Sequence, residues 1–288
     1  MAITAAQVKE LRDATNIGMM ECKKALEEAN GDMDEAIKVL RERGQVKAAK
    51  RADREAAEGL VEYALNGDGT KGALAQLKCE TDFVARNEEF QELVKSLAKA
   101  ALESGAKDAD ALKATKLDPG KDAGTAIEDI RTKIGEKIEL GNVAMLDGDV
   151  VVGYVHPPGK IGVLIAAEAA GIAADKKDPV VDELRGIAMH IAATQPRFLD
   201  SSEVNSEVLD AEKEIFAQQA KNEGKPENII PKIVEGKIKS FYKDNCLVDQ
   251  AYVKEPKKSI TDVLKELGKD AGTDIKIKGF VRAAVGSL

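Results

Sequence analysis

One pattern limits what this chain can fold into: a strand–turn–strand unit that runs into an amphipathic helix is written into it twice. Leu60 to Leu65, Asn66-Gly67-Asp68-Gly69 and Ala73 to Cys79 read as a β-hairpin. Phe90, Leu93, Val94, Leu97 and Ala101 then recur on one face at helical spacing. Further on, Asn142 to Leu146, Asp147-Gly148-Asp149, Val150 to Val155 and Ile161 to Ala167 read as a three-stranded meander. Pro179 to Ala193 is the helix after it, with Val181, Leu184, Ala188 and Ile191 inward. The repetition predicts an α+β chain with two related subdomains built on antiparallel sheets.

The remaining segments fit around that frame. Residues 1–55 read as a compact three-helix unit. Thr4 with Gln7 is a capping box for a helix from Ala5 that carries Val8 and Leu11, and Asn16 to Gly18 breaks it. A second helix from Met19 turns Cys22, Ala25, Leu26 and Ala29 inward and ends at Asn30-Gly31. A third starts at Asp32 with Glu35 and ends at Gly44, and Gln45 to Arg54 is an exposed connecting helix or linker. The first subdomain takes 56–140, with a mobile surface excursion from Ser104 to Gly124 and a second helix over Ile127 to Ile138. The second takes 141–202 and 242–288, and closes with a helix from Ser259 to Leu267 and a strand from Ile275 to Val285 that returns to the second sheet. Residues 203–241 read as an inserted antiparallel helical hairpin, its second helix beginning near Pro231.

Composition removes several functional classes. The 288 residues carry a net charge of −8, the wrong sign for a general binder of nucleic acid or anionic membrane. No run approaches the ~20 apolar residues that span a bilayer. Met1-Ala2-Ile3-Thr4 has neither a basic nor an apolar leader pattern, so the reading is cytoplasmic. Cys22, Cys79 and Cys246 are far apart with no CxxC, which favours buried reduced thiols over a metal or redox site. His156 and His190 have no partner at metal-ligand spacing: His190 reads as a core or interface histidine, His156 as exposed and open to partner contact. Asn66 to Gly72 lacks phosphate-loop spacing and precedes a strand, so it is a turn. No arrangement of nucleophile, base, cofactor or metal ligands is found, and the chain does not read as an enzyme.

Two features are left over. Aromatics make up only 3% of the chain, yet Cys79-Glu80-Thr81-Asp82-Phe83-Val84-Ala85-Arg86-Asn87 spends one between a strand and a helix, beside an acid. Phe83 either folds back as a core cap while Asp82 starts the helix, or it is an anchor for a partner. Met19-Met20, with Arg12 and Lys23 nearby, opens a helix; adjacent residues point about 100° apart, so one of the two should face outward.

Leu11-Arg12-Asp-Ala-Thr-Asn-Ile-Gly-Met-Met-Glu-Cys-Lys-Lys-Ala-Leu26 closely resembles the N-terminal signature of the translation elongation factor Ts family, and Cys79 to Asn87 resembles its second signature. Lys133-Ile-Gly-Glu136, Gly159-Lys-Ile-Gly-Val-Leu164, His190-Ile-Ala-Ala193, Asp244-Asn-Cys-Leu247 and Val253-Lys-Glu-Pro256 follow in order. The resemblance implies a guanine nucleotide exchange factor for elongation factor Tu. It also implies a ubiquitin-associated-like N-terminal module that docks on the GTPase domain through Arg12, Met19, Met20 and Lys23. Thr81, Asp82, Phe83 and Val84 would wedge beside the nucleotide and dislodge magnesium. Ile134, Gly135, His156 and Val253 would grip a more distant domain with the second subdomain, and the 203–241 hairpin would match a coiled-coil protrusion that supports self-association. The rival reading is a non-catalytic helical adaptor for some other partner protein.

Overall fold

The computed structural model describes residues 3–15, 17–49, 54–117 and 120–286. Met1 and Ala2 of the expected start, Asn16 of the expected helix break, and residues 50–53 of the expected linker lie outside them. The N-terminal helices are α1 (Ala5–Thr15), α2 (Met19–Glu28) and α3 (Met33–Ala49). The reciprocal cap forms as read: Thr4 N–H donates to Gln7 Oε1 at 3.0 Å, and Gln7 N–H donates to Thr4 Oγ1 at 3.2 Å. Val8, Leu11, Cys22, Ala25, Leu26, Ala36 and Leu40 meet in one small core. α3 does not end at Gly44. An interior glycine costs a helix only about 1 kcal/mol against alanine, and the residues after Gly44 are mostly good helix formers.

Next come β1 (Glu58–Leu65) and β2 (Lys71–Cys79), the predicted hairpin, then α4 (Asp82–Ala85) and α5 (Glu88–Ser104). Residues 104–117 and 120–124 are packed against the first core where a mobile surface excursion is expected; residues 118 and 119 of that stretch lie outside the described residues. The stretch holds α6 (Ala109–Lys113), and Ala106, Leu112, Leu117 and Ala123 are buried in the first core. α7 (Ala123–Ile134) stops four residues before Ile138, which instead begins β3 (Ile138–Asp147). β3 pairs antiparallel with β2, so the meander expected over 142–167 is divided between two sheets. The Asp147-Gly-Asp149 turn does not fold β3 back on its successor. It docks on the first hairpin turn: Gly148 N–H bonds Thr70 O at 3.0 Å, and Val151 N–H bonds Gly69 O at 2.7 Å.

The second sheet begins with β4 (Val150–His156) and β5 (Ile161–Glu168), followed by α8 (Ala174–Thr194), which starts five residues earlier than read and holds Pro179 within it. The inserted hairpin is α9 (Ser206–Asn222) and α10 (Ile230–Asn245), with Pro231 in the first turn of α10, where a missing N–H is harmless. Its two ends are pinned together: Phe198 and Cys246 form a bridge, Arg197 N–H bonds Asn245 O at 2.9 Å, and Leu247 N–H bonds Phe198 O at 2.9 Å. A short ribbon of β6 (Ala251–Tyr252) and β7 (Glu255–Ser259), absent from the sequence reading, leads to α11 (Ile260–Ala271) and β8 (Lys276–Ala284). β8 pairs with β5, giving the orders β1-β2-β3 and β4-β5-β8.

The two sheets pack against each other, with helices on their outer faces. Ala73, Ala75 and Leu77 of β2 face α5 and α7, whereas Leu74 points the other way and meets Val61, Leu164, Ala283 and Val285 between the sheets. Gly162 makes this approach feasible, because a Cβ there would lie 2.3 Å from Val61 Cγ1. Gln76 is a buried polar link across the seam: its amide donates to Ala284 O at 2.8 Å, and its carbonyl accepts Asn142 N–H at 3.0 Å.

His190 is wholly buried where α8 meets the β6–β7 ribbon. Val253 N–H can only donate, so Nδ1, at 3.3 Å, accepts, and the proton sits on Nε2, which donates to Gln250 Oε1 at 2.8 Å. Burial pushes its pKa below the ordinary 6.5, although the Gln250 bond opposes this. The fold therefore resists a proton that the unfolded chain accepts. The associated stability is full above pH 6.5 and is lost as pH falls from there toward the lower folded value.

Two outcomes follow. Gly162→Ala is expected to lower unfolding free energy by about 1–3 kcal/mol through overpacking, read from the urea midpoint at constant slope, and Val61→Ala in the same chain should recover part of it. Between about pH 7 and pH 5, the wild-type urea midpoint should fall by a component that His190→Gln lacks.

Candidate partner-binding site

The residues read as a loop at 81–84 are a fixed helical turn. β2 delivers Thr81 in an extended conformation (φ −128°, ψ 155°), from which its hydroxyl oxygen accepts Val84 N–H at 3.4 Å and caps α4. Thr81 also reaches the turn after α7. Its N–H donates to Glu136 Oε2 at 3.1 Å, and its hydroxyl donates to Glu136 Oε1 at 2.8 Å. Glu136 is presented there because Gly135 ends α7 in the left-handed region (φ 85°), its N–H on Arg131 O at 2.9 Å. In the opposite direction, Glu80 accepts Lys137 N–H at 2.5 Å and the Arg54 guanidinium at 3.2 Å. Two carboxylates thus continue the β2–β3 connection past its last ladder pair, Cys79↔Ile138. Beyond the turn, Asn87 Oδ1 accepts Glu89 N–H at 2.9 Å and caps α5.

This turn sorts its four residues. Val84 is buried in the first core and holds the turn down. Phe83 faces outward and is 80% exposed, which removes the core-cap reading. The Asp82 carboxylate pairs with Arg86 at 2.9 Å, largely in solvent, so the pair adds little stability and is easily exchanged for another partner. Behind the turn, burial, with the nearby Glu136 and Glu58 charges, pushes the Cys79 thiol up to about 12, so it stays neutral.

Arg12 lies in the last turn of α1, and Met19 and Met20 in the first turn of α2, with Lys23 one turn on and 3.8 Å from Glu27. Both methionines are exposed, Met19 by 43% and Met20 by 65%, where the sequence predicts only one. Met19 is on the stripe of Cys22 but one turn beyond it, past the edge of the small core. Ile134 and Gly135 do not belong with the second sheet. They close α7 in the first unit, and Glu136 ties them to Thr81. His156 ends β4, exposed, its Nδ1 2.7 Å from Tyr154 Oη. Val253 sits at the tip of the β6–β7 ribbon, 45% exposed. Sequence reasoning missed the link from Thr81 to Glu136, which spans 55 residues; the motif Lys133-Ile-Gly-Glu136 was visible, but its partner was not.

Among the described residues, no group of three or more His, Cys, Asp or Glu is arranged to hold a metal ion, and no helix is long and apolar enough to cross a membrane. A family profile described as Elongation factor TS matches residues 80–287. Three relatives named Elongation factor Ts align along nearly the entire chain. The protein from Rhodopseudomonas palustris is 47% identical, with 99% of this chain and 92% of that protein covered. The Nitratiruptor protein is 45% identical over 99% and 94%, and the Desulfovibrio desulfuricans protein 43% over 98% and 97%. With matches of this extent, the chain belongs to the elongation factor Ts family.

Proposed function

We propose that this chain binds elongation factor Tu in its GDP form and speeds GDP release by dislodging the magnesium ion, so that GTP can bind. The observation that carries this reading is Phe83: a large aromatic, 80% exposed, on a turn fixed by the Thr81 cap and by Glu136. Such a residue has no role in this chain's own core, and its direction is set before any partner arrives. Exchange requires a partner that binds the nucleotide-free state better than the loaded one. Full burial of Phe83 against the partner contributes about 1.5–3 kcal/mol, a shift of roughly 10- to 150-fold. Asp82 leaves Arg86 and competes for groups that otherwise hold the magnesium ion. The chain itself makes and breaks no covalent bond.

The rest of the affinity comes from docking outside the turn. Arg12, Met19, Met20 and Lys23, at the α1–α2 corner, take the GTPase domain. His156 and Val253, at separate points of the second unit, take a further domain. In this reading the three-helix unit of 1–55, the body formed by the two packed sheets and the 203–241 arm engage the partner together, working in the cytoplasm without nucleic acid or membrane. The arm, with Ile215 and Ile229 exposed, supports self-association.

Release of a fluorescent GDP from purified elongation factor Tu tests the assignment. Phe83→Ala should lower the maximal release rate by roughly tenfold or more, with little change in the half-saturating concentration. Met20→Ala should raise the half-saturating concentration and leave the maximal rate near that of the intact chain. No acceleration by the intact chain would sink the exchange reading and leave the adaptor reading.

A further inference from the structure

We infer that Glu136 is a positioning residue for exchange, acting through Thr81 to set the direction of Phe83. This rests on the exchange-factor reading above. α4 is one turn long, and a single turn does not hold itself together, because nucleating a helix fixes several residues for one backbone bond. Phe83 is too exposed to be held by packing, so the backbone of the turn decides where its ring points. That backbone is held by the buried Val84 and Ala85 and by the Thr81 cap.

Glu136 controls the cap in two ways. The β2–β3 ladder ends at Cys79, which leaves Thr81 N–H without a strand partner; Glu136 Oε2 accepts it at 3.1 Å. The Thr81 hydroxyl has one hydrogen and donates it to Glu136 Oε1 at 2.8 Å, which turns an oxygen lone pair toward Val84 N–H. Without the carboxylate, the hydroxyl rotates freely and the strand-end N–H turns to water. The turn then samples other orientations, and Phe83 must be ordered at the moment of binding. Glu136 in turn is held by the left-handed Gly135, so the end of α7 and the wedge turn move as one piece.

The test uses the full chain and its Glu136→Ala, Glu136→Asp, Glu136→Gln, Phe83→Ala and Glu136→Ala/Phe83→Ala forms, with GDP-loaded elongation factor Tu. Glu136→Ala should lower the maximal GDP-release rate about five- to tenfold and leave the half-saturating concentration within about twofold. Glu136→Asp, which keeps the charge but withdraws it by one methylene, should do the same and serves if the alanine form does not fold. Glu136→Gln should restore only part of the rate, since its amide oxygen can still accept Thr81 N–H but its amide nitrogen cannot accept the hydroxyl hydrogen. The double variant should match Phe83→Ala, the signature of one residue acting through another. In the free chain, Val84 and Ala85 amides should exchange at least about tenfold faster in Glu136→Ala, with the α5 amides unchanged. Normal maximal rates in the alanine and aspartate forms, or a double variant whose losses multiply, would overturn the inference. An intact chain that fails to accelerate release sinks the exchange reading instead, and unchanged Val84 exchange then separately overturns the geometric half.

Discussion

Val61, Leu74 and Leu164 meet between two sheets that lie close enough for Gly162 to leave no room for a methyl group. That contact makes β2 and β5 central in every direction: each has strands on both sides, a helical layer on one face and the opposite sheet on the other. Strands so placed need apolar residues at nearly every position, as Ala73 to Leu77 and Gly162 to Ala167 provide. Gln76 is the exception, and it is tolerated because both ends of its amide are bonded, one of them to the opposite sheet. Both outer helical layers take their positions from this double sheet, and the ends of its strands deliver the exposed residues: β2 leads into Thr81, and β4 ends at His156.

The exposed Phe83 is the counterpart of that rigidity. A solvent-facing phenylalanine brings the free chain nothing, so the structure spends its order on the backbone beneath it. Thr81, Glu136 and the buried Val84 all act on a four-residue turn. The exposed Met19 and Met20 follow a different logic, since flexible thioethers at a helix start are not held in one direction. One exposed apolar group is therefore fixed in direction and the other two are free to adapt.

Local signals in the chain were legible wherever one residue type does one job. The Thr4–Gln7 cap, the Asn66 to Gly69 turn, the apolar face of Phe90 to Ala101 and the return of the last strand to the second sheet are all present as read. What failed was long-range. Asn142 to Leu146 has the pattern of any strand, and nothing local says that it pairs backward with β2 and not forward with β4. The polar run after Ser104 looks like loop, yet Ala106, Leu112, Leu117 and Ala123 pin it to the core. At the site, the aromatic beside the acid was visible, but the strand-to-helix loop was in fact a capped turn, and Glu136, the group that fixes it, lies on a segment distant in sequence.

The inserted helical arm leaves and re-enters the body at one point, where Phe198 bridges Cys246 and flanking backbone groups close the neck. Neither β4-β5-β8 nor the helices over it depend on what happens beyond that neck. Arm length is therefore uncoupled from the core: whole turns could be added to or removed from both helices together without any compensating change in the double sheet.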